Sequence, residues 1–179
     1  MMEDLSLHIL DIAENSVAAG ASRVLIAVEE DERRDILIFV VEDDGRGMTR
    51  EERGRALDPF YTTKGKRTGL GLPLLAQTAE HCGGALTIAP ARGEGTRVTA
   101  RFRFSHFDRP PLTKMAETLM TLVFGHPEVE VRYRHRRNGK DFRWTSPSAA
   151  GGGSGTADPG AILKARRTLQ AGLARIGAS

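Results

Sequence analysis

The feature that most constrains the fold is an apolar segment at residues 35–42 (DILIFVVE) that runs directly into DDGRG at residues 43–47. Short apolar runs bounded by turn residues are typical of strands with neighbours on both sides, so this segment is not expected at a sheet edge. Gly45 and Gly47 mark a turn that must tolerate unusual backbone angles. The sequence therefore predicts Asp43 at the end of a buried strand, just before a glycine-rich turn.

Hydrophobic periodicity and turn residues predict further elements on both sides of this strand. The predicted helices cover residues 5–19, a short segment that starts at Thr49, and residues 70–82, 112–124 and 161–176, and the predicted strands cover residues 23–29, 35–42, 85–90, 96–104, 129–135 and 140–144. The order α-β-β-α-loop-α-β-β in the first part of the chain favours an α+β fold. We expect a mixed or antiparallel sheet with helices on one face, in two layers.

Four segments are expected along the chain. Residues 1–107 form the main domain, and residues 108–145 form a small α-β-β extension in which Asn138-Gly139 predicts a hairpin turn. The composition of residues 146–160 (SPSAAGGGSGTADPG) is typical of a flexible linker. Residues 161–179 form a C-terminal helix and tail, and a helix of this length is marginally stable by itself.

Composition excludes several classes of protein. The single cysteine, Cys82, excludes a disulfide framework and zinc sites built on paired cysteines. No apolar run approaches the roughly 18 residues of a membrane helix, and the first residues lack the basic start of a signal peptide, so we expect a cytoplasmic location without membrane association. The formal net charge of +3 comes from the segment after residue 145 and does not by itself imply nucleic acid.

The glycine-rich stretches do not fit the two commonest nucleotide fingerprints. In GRGMTR, Arg50 stands where a dinucleotide-binding motif has its third glycine, and the stretch follows the second strand of a β-β pair. The stretch GKRTGLGL lacks the Gly-Lys-Ser/Thr of a P-loop. A Rossmann or P-loop site is therefore not expected.

Instead, a set of stretches in a fixed order resembles the GHKL ATPase superfamily, and specifically the catalytic and ATP-binding domain of histidine kinases. These stretches are DIAENS (11–16), DDGRG (43–47), DPFYTTK (58–64), TGLGLPLLAQTAEHCGG (68–84) and GEGTRV (93–98). Each is weak alone, but their common order and spacing over residues 1–104 are specific. The resemblance implies a Bergerat-type two-layer α/β sandwich and, as cofactors, ATP and Mg²⁺.

The resemblance also implies roles for individual residues. Asp43 would accept a hydrogen bond from the exocyclic amine of adenine, and Gly45 and Gly47 would let the backbone pass close to the flat base. Asn15 would coordinate magnesium. The nucleotide-binding residues implied in this way are Asn15, Asp43, Gly45, Gly47, Met48, Phe60, Thr63, Lys64, Lys66, Thr68, Gly69, Leu70, Gly71, Leu72 and Thr96. Gly69 and Gly71 precede a helix whose N-terminus favours phosphate.

Asp11 is the candidate catalytic residue. It lies one helical turn before Asn15 on the same face, where gyrase-like and MutL-like members carry a glutamate that activates water. Aspartate is one methylene shorter, and Ala18 stands where the gyrase-like pattern has aspartate. Both departures argue against fast hydrolysis.

Three functions remain open at this point. The preferred one is a stand-alone signalling kinase that transfers the γ-phosphoryl group of ATP to histidine or serine of a partner protein in trans. The others are a slow ATPase switch and a non-enzymatic adaptor that binds nucleotide and a regulatory partner. Arg132, Arg134 and Arg136 alternate along one predicted strand, but Glu130 and Asp141 lie nearby, so a solvated face or a protein-docking surface is favoured over a nucleic-acid groove.

Overall fold

The computed structural model describes residues 4–58, 71–91, 95–147 and 159–178. Its helices are α1 (Leu5–Ala18), α2 (Arg50–Arg55), α3 (Gly71–His81), α4 (Met115–Gly125) and α5 (Pro159–Ile176), and its strands are β1 (Arg23–Asp31), β2 (Ile36–Asp43), β3 (Ala85–Pro90), β4 (Thr96–Arg103), β5 (Glu130–Arg137) and β6 (Lys140–Thr145). The predicted element order is confirmed, and the largest shift in bounds is the later start of α4.

The strands form one 6-stranded sheet in the order β3-β4-β2-β1-β5-β6. Neighbouring strands are antiparallel except β1 and β5, which are parallel. The sheet is therefore mixed, as expected. The apolar strand β2 lies between β4 and β1, which confirms that it is not an edge strand.

One face of the sheet is packed and the other is open. The strand side chains of the packed face are Val24, Ile26, Val28, Leu37, Phe39, Val41, Val98, Ala100, Phe102, Val131 and Tyr133, all of them buried. They share a single core with buried residues of α1, α3, α4 and α5, so these helices cover the same face. This arrangement is the expected two-layer α+β sandwich. Alternate residues such as Leu25, Ile38 and Val40 face away from the helices and are only half-buried.

The segment 108–145 is continuous with the main sheet. Strand β5 pairs with β1 from Arg23↔Glu130 to Glu30↔Arg137. Helix α4 adds Met115, Leu119 and Leu122 to the same core. The sequence predicted the three elements of this extension but not its pairing with the main sheet, because periodicity along a chain predicts a strand but does not identify the distant strand with which it pairs.

The C-terminal helix α5 is held against the sheet by close packing. Leu169 and Leu173 are buried, and a Cβ added to Gly172 would lie 2.0 Å from the ring of Phe142, so only glycine allows this approach. Ser146, expected to begin a flexible linker, is also buried, and its hydroxyl accepts a hydrogen bond from the Val131 N–H at 2.9 Å. Residues 148–158 of that segment lie outside the described residues.

Two local predictions are confirmed by the backbone. Thr49 caps α2 in a reciprocal capping box with Glu52. Asn138 and Gly139, with φ of 47° and 83°, form the turn of the β5–β6 hairpin. Positive φ at both central residues is the signature of a type I′ turn.

Across the part of the chain that the structure describes, no helix combines the length and hydropathy needed to span a lipid bilayer.

Candidate functional site

Asp43 is the centre of the site. It is the last residue of β2, and it is only 7% exposed. Its Oδ1 accepts hydrogen bonds from the N–H groups of Gly45 at 2.9 Å and Thr96 at 3.2 Å. Its Oδ2 accepts a hydrogen bond from the Ser16 hydroxyl at 2.7 Å. Three elements, α1, β2 and β4, therefore fix the orientation of one carboxylate.

Among the described residues, these contacts leave the Asp43 carboxylate one acceptor position. A carboxylate has about four lone-pair sites, two on each oxygen. The N–H groups of Gly45 and Thr96 use both sites on Oδ1, and the Ser16 hydroxyl uses one site on Oδ2. The second site on Oδ2 can accept a hydrogen bond from a ligand. A buried acceptor held in this way is suited to a single N–H donor such as an aromatic amine.

Glycine allows the close backbone contacts around this carboxylate. A Cβ on Gly95 would lie 1.7 Å from the carbonyl oxygen of Asp43, and a Cβ on Gly45 would lie 3.0 Å from the carbonyl oxygen of Ala19. Gly47 has a positive φ of 70°, a backbone conformation that residues with a side chain rarely adopt. The start of β4 and the end of β2 thus pack backbone to backbone, and this brings the Thr96 N–H to Asp43.

The neighbouring carboxylate, Asp44, has a structural role. Its Oδ1 accepts hydrogen bonds from the N–H groups of Ser22 and Arg23, both at 2.8 Å, and its Oδ2 accepts one from the Ser22 hydroxyl at 2.7 Å. Burial is the largest influence and raises the pKa of Asp44, but these hydrogen bonds together hold it below its usual value. Asp44 therefore joins the end of β2 to the start of β1, and the two aspartates of DDGRG serve different purposes.

Helix α1 presents Asp11 and Asn15 on one exposed face, while Ile12, Ala13 and Ser16 point into the protein. Oδ2 of Asp11 lies 3.6 Å from the position that a Cβ on Gly71 would occupy. Gly71 is the first residue of α3. The structure thus brings Asp11 of α1 to the N-terminus of α3.

The remaining predicted residues fall into two groups. Met48, Gly71 and Leu72 are half-buried, and the Met48 carbonyl accepts a hydrogen bond from Arg53 Nη1 at 2.6 Å. Outside the described residues lie Phe60, Thr63, Lys64, Lys66, Thr68, Gly69 and Leu70. Their placement at the site therefore stays a prediction.

Ser16 and Gly95 are site residues that the sequence reasoning missed. Ser16 stands directly after Asn15, at a position of α1 where the helix is otherwise buried and apolar. A polar residue on the apolar face of a helix signals a hydrogen-bond partner in the core. Gly95 belongs to GEGTRV, one of the stretches that carry the resemblance, but that pattern did not identify the backbone of Asp43 as its packing partner.

The described residues hold no group of three His, Cys, Asp or Glu side chains arranged around a metal ion. His81 ends α3 and lies 3.1 Å from Asp108 Oδ2, which fits a histidine that interacts with the C-terminus of a helix.

A known protein family matches the N-terminal part of the chain. Residues 3–106 match the family of histidine kinase-, DNA gyrase B- and HSP90-like ATPases, which is more than half of the chain. The chain belongs to this family. The matched region contains β1 to β4 and α1 to α3, and it ends before α4 and the β5–β6 hairpin.

Curated relatives include sensor kinases. The chain is 30% identical over 95 residues to the sensor histidine kinase ZraS of Escherichia coli O157:H7, an alignment that covers 53% of this chain and 21% of that protein. It is 30% identical over 87 residues to sporulation kinase C of Bacillus subtilis, covering 49% of this chain and 20% of that protein. The alignments thus span about a fifth of these relatives' length.

Solved structures extend the likeness of fold beyond the family match. The ATPase domain of Aquifex aeolicus MutL, complexed with ADP, superimposes with a TM-score of 0.57 at 14% identity, covering 95% of this chain and 70% of that one. The N-terminal domain of a DNA repair protein gives a TM-score of 0.56, also at 14% identity, covering 81% and 53%. At such identity the likeness concerns the fold alone.

Proposed function

We propose that this protein binds ATP and transfers its γ-phosphoryl group to a partner protein in trans. The observation that carries the proposal is the buried Asp43 carboxylate with one remaining acceptor position on Oδ2. The sequence similarity to sensor histidine kinases supports kinase chemistry over other uses of the fold.

Asp43 would select adenine over guanine. The exocyclic amine of adenine donates to Oδ2, and the resulting hydrogen bond is strengthened by the charge of the carboxylate. Guanine presents a carbonyl oxygen at the equivalent ring position, so two acceptors would face each other inside a buried pocket. Such an unpaired contact costs more than a lost hydrogen bond in water.

The N-terminus of α3 would bind the phosphates. The first N–H groups of a helix have no partners within the helix, and its dipole favours negative charge there. Helix α3 begins at Gly71, beside the exposed face of α1. Lys64, Lys66 and Gly69, which the sequence assigns to the preceding loop, would add donors and positive charge around the triphosphate.

Asn15 would hold magnesium through its amide oxygen. The donor chemistry fits, because Mg²⁺ prefers oxygen ligands and keeps several waters and phosphate oxygens. Asn15 is exposed on the same helix face as Asp11, at the side of the site next to α3. When bound, the ion would offset the negative charge of the phosphates and orient the terminal one.

In the transfer step, the bond between the γ-phosphorus and the bridging oxygen of ADP breaks, and a bond forms to a nitrogen or oxygen of the acceptor side chain. ADP leaves with the electron pair, and the acceptor loses its proton when it is a hydroxyl. Catalysis of such a step rests on positioning and charge neutralisation. The acceptor itself is the nucleophile, so the protein needs no base to activate water.

A slow ATPase switch is the second candidate, and Asp11 favours it. Its carboxylate is exposed beside the N-terminus of α3, where a water near the terminal phosphate could lie. In that case nucleotide hydrolysis would change the affinity for a regulatory partner, and no phosphoprotein would form.

Labelled ATP separates these functions. The full chain is incubated with γ-³²P-ATP, Mg²⁺ and a lysate of the cells that express it, and phosphoprotein and free phosphate are measured. We expect an acid-labile or acid-stable phosphoprotein that depends on this chain. The Asn15→Ala variant, an exposed substitution that should not alter folding, is expected to lower transfer by about 100-fold or more while it still binds metal-free ADP. Release of free phosphate without phosphoprotein would instead establish the ATPase.

A further inference from the structure

The open face of the sheet carries an arginine-rich surface that the nucleotide site does not use. Its arginines are Arg23 on β1, Arg97, Arg101 and Arg103 on β4, Arg132, Arg134 and Arg136 on β5, and Arg143 on β6. All of them are exposed except the half-buried Arg134. Between them, β1 and β2 present four half-buried apolar side chains, Leu25, Ala27, Ile38 and Val40. We call this surface the arginine face.

Strand register fixes the layout of the arginine face. Arg101 lies opposite Ile38, and Arg134 lies opposite Ala27, which in turn pairs with Val40. The β4 arginines therefore form one column, the β5 arginines form a second, and the apolar strip lies between them. Because β4 and β5 are separated by two strands, the columns are about 14 Å apart.

Intramolecular ion pairs leave part of the arginine face without a counter-charge. On β4, Arg97 pairs with Glu42 at 2.6 Å and Arg103 pairs with Asp35 at 2.8 Å. Arg132 and Arg23 both pair with Glu130, and Arg134 and Arg143 share Asp141 at 2.7 and 2.9 Å. Within the part of the chain that the structure describes, Arg101 and Arg136 have no ion pair. Arg101 thus adds unpaired positive charge beside Ile38 of the apolar strip, and Arg136 lies in register with Glu29 and Asp141 without forming an ion pair with either.

We propose that the arginine face docks an acidic amphipathic helix of a partner protein. An α-helix with its side chains is about 10–12 Å wide, which fits between the two arginine columns. Its apolar stripe would lie on Leu25, Ala27, Ile38 and Val40, and glutamate or aspartate on both flanks would meet the columns. An apolar centre with a charged rim is the usual anatomy of a protein interface.

The same features argue against the two other occupants. A second copy of the chain would bring one arginine-rich face against another, and like charges across an interface are unfavourable. Nucleic acid has no apolar stripe that could cover the four apolar side chains of β1 and β2, since its phosphate backbone is charged throughout. The described residues of this face also include no aromatic side chain on which a base could stack.

The test uses defined probes and the full chain. The first probe is a labelled peptide of about 14 residues, roughly four helical turns, with leucine at helical spacing and glutamate on both flanks. The second is a scrambled peptide of the same composition, and the third is a DNA duplex of equal charge. Binding is measured by fluorescence anisotropy, and circular dichroism confirms that each variant is folded.

Two double variants change the net charge of the protein by the same amount, but at different places on its surface. Arg101→Glu/Arg136→Glu reverses charge on the arginine face, and Lys164→Glu/Arg167→Glu reverses charge on the exposed side of α5. We expect the first pair to weaken helical-peptide binding by about 10-fold or more and the second to change it by less than about twofold, since only the first replaces attraction to the peptide's carboxylates by repulsion. The scrambled peptide should bind more weakly than the helical one.

Other outcomes overturn the proposal. Equal binding of the scrambled peptide would show simple attraction of polyanions. Tighter binding of the duplex, lost in Arg101→Glu/Arg136→Glu, would assign the surface to nucleic acid. A dimer in sedimentation that the same variant dissociates would assign it to a second copy. Absence of helical-peptide binding by the wild-type protein would remove the surface from consideration.

Discussion

The sheet has two parts, one built by β1 to β4 and the other by β5 and β6. They differ in which predicted site residues they contain. Asp43 and Thr96 belong to the first part, together with the α1 face that bears Asp11 and Asn15, and no predicted site residue belongs to β5 or β6. The family match covers the first part only. Both parts nevertheless contribute to one core. Motifs therefore locate the chemistry of this protein but not the limits of its folding unit.

Hydrogen bonds join α1 to the residues just before and after α4. The Asp4 carboxylate caps α1 through the Ser6 N–H at 2.9 Å and also accepts hydrogen bonds from the N–H and hydroxyl of Thr113 at 3.0 and 2.6 Å. His126, after α4, lies 2.8 Å from Glu14 of α1. Helix α1, which contains Asp11 and Asn15, is thus bound near both of its ends by polar contacts with the segment 108–145.

The largest expected effect is the loss of stability caused by substituting Leu119, a core residue of α4 that lies outside the family match. Leu119 of α4 is fully buried, and Leu119→Ala should lower the free energy of unfolding by about 2–5 kcal/mol. Trp144, the sole tryptophan, reports on β6 by fluorescence, and far-ultraviolet circular dichroism reports on the whole chain. Both probes should give the same shifted transition, because the two parts share a core.

Leu163→Ala is the matched control, since Leu163 of α5 is 52% exposed, and it should leave the unfolding midpoint nearly unchanged. Two separate transitions, with only the fluorescence transition shifted in Leu119→Ala, would show that the two parts fold independently.

A smaller loss of stability is expected for Asp4→Ala, because Asp4 joins the start of α1 to Thr113. Burial is the largest influence and raises the pKa of Asp4, but hydrogen bonds from Ser6 and Thr113 outweigh it and hold the pKa below 3.8. The carboxylate therefore stabilises the fold above that pH, and this contribution is lost as the pH falls through the folded-state pKa. Asp4→Ala should cost about 0.5–2 kcal/mol at neutral pH, the range for a lost helix cap.

Denaturant titrations at neutral pH and near pH 3 check this. The difference in unfolding free energy between wild type and Asp4→Ala should shrink at the lower pH. A difference that stays constant across this range would show that the charged form of Asp4 is not what stabilises the junction.

The smallest expected effect is that of Asp11→Asn on the rate of ATP hydrolysis. If the acceptor side chain is the nucleophile, hydrolysis without a partner is already slow, and Asp11→Asn should leave that background almost unchanged. A lost general base would instead lower it by about 100–10,000-fold. Phosphate release under single-turnover conditions distinguishes the two, and fast partner-free hydrolysis that collapses in Asp11→Asn would favour the ATPase switch.

Much of the fold could be predicted because its signals are local. The apolar run before Asp43 indicated an internal strand, Thr49 and Glu52 indicated the start of α2, and Asn138-Gly139 indicated the hairpin. Each depends on residues that are neighbours in sequence. The acceptor role of Asp43 could be inferred from the resemblance together with its place at the end of an apolar strand.

What could not be predicted depends on contacts between distant residues. The parallel pairing of β5 with β1 joins segments about a hundred residues apart, and nothing in either strand specifies the other. The hydrogen bond from Ser16 to Asp43 and the contact of Gly95 with the Asp43 backbone likewise arise only when α1, β2 and β4 are assembled.

The central claim is that the buried Asp43 carboxylate reads the amine of adenine, and calorimetric titration with ATP and GTP tests it most directly. Wild type should bind ATP and discriminate against GTP. Asp43→Ala should weaken ATP binding by about 10–150-fold, the equivalent of a charge-assisted hydrogen bond of about 1.5–3 kcal/mol. Asp43→Asn, which keeps the shape of the side chain, should narrow the preference for ATP over GTP. Equal affinity of the wild-type protein for ATP and GTP, or unchanged ATP affinity in Asp43→Ala, would contradict the account.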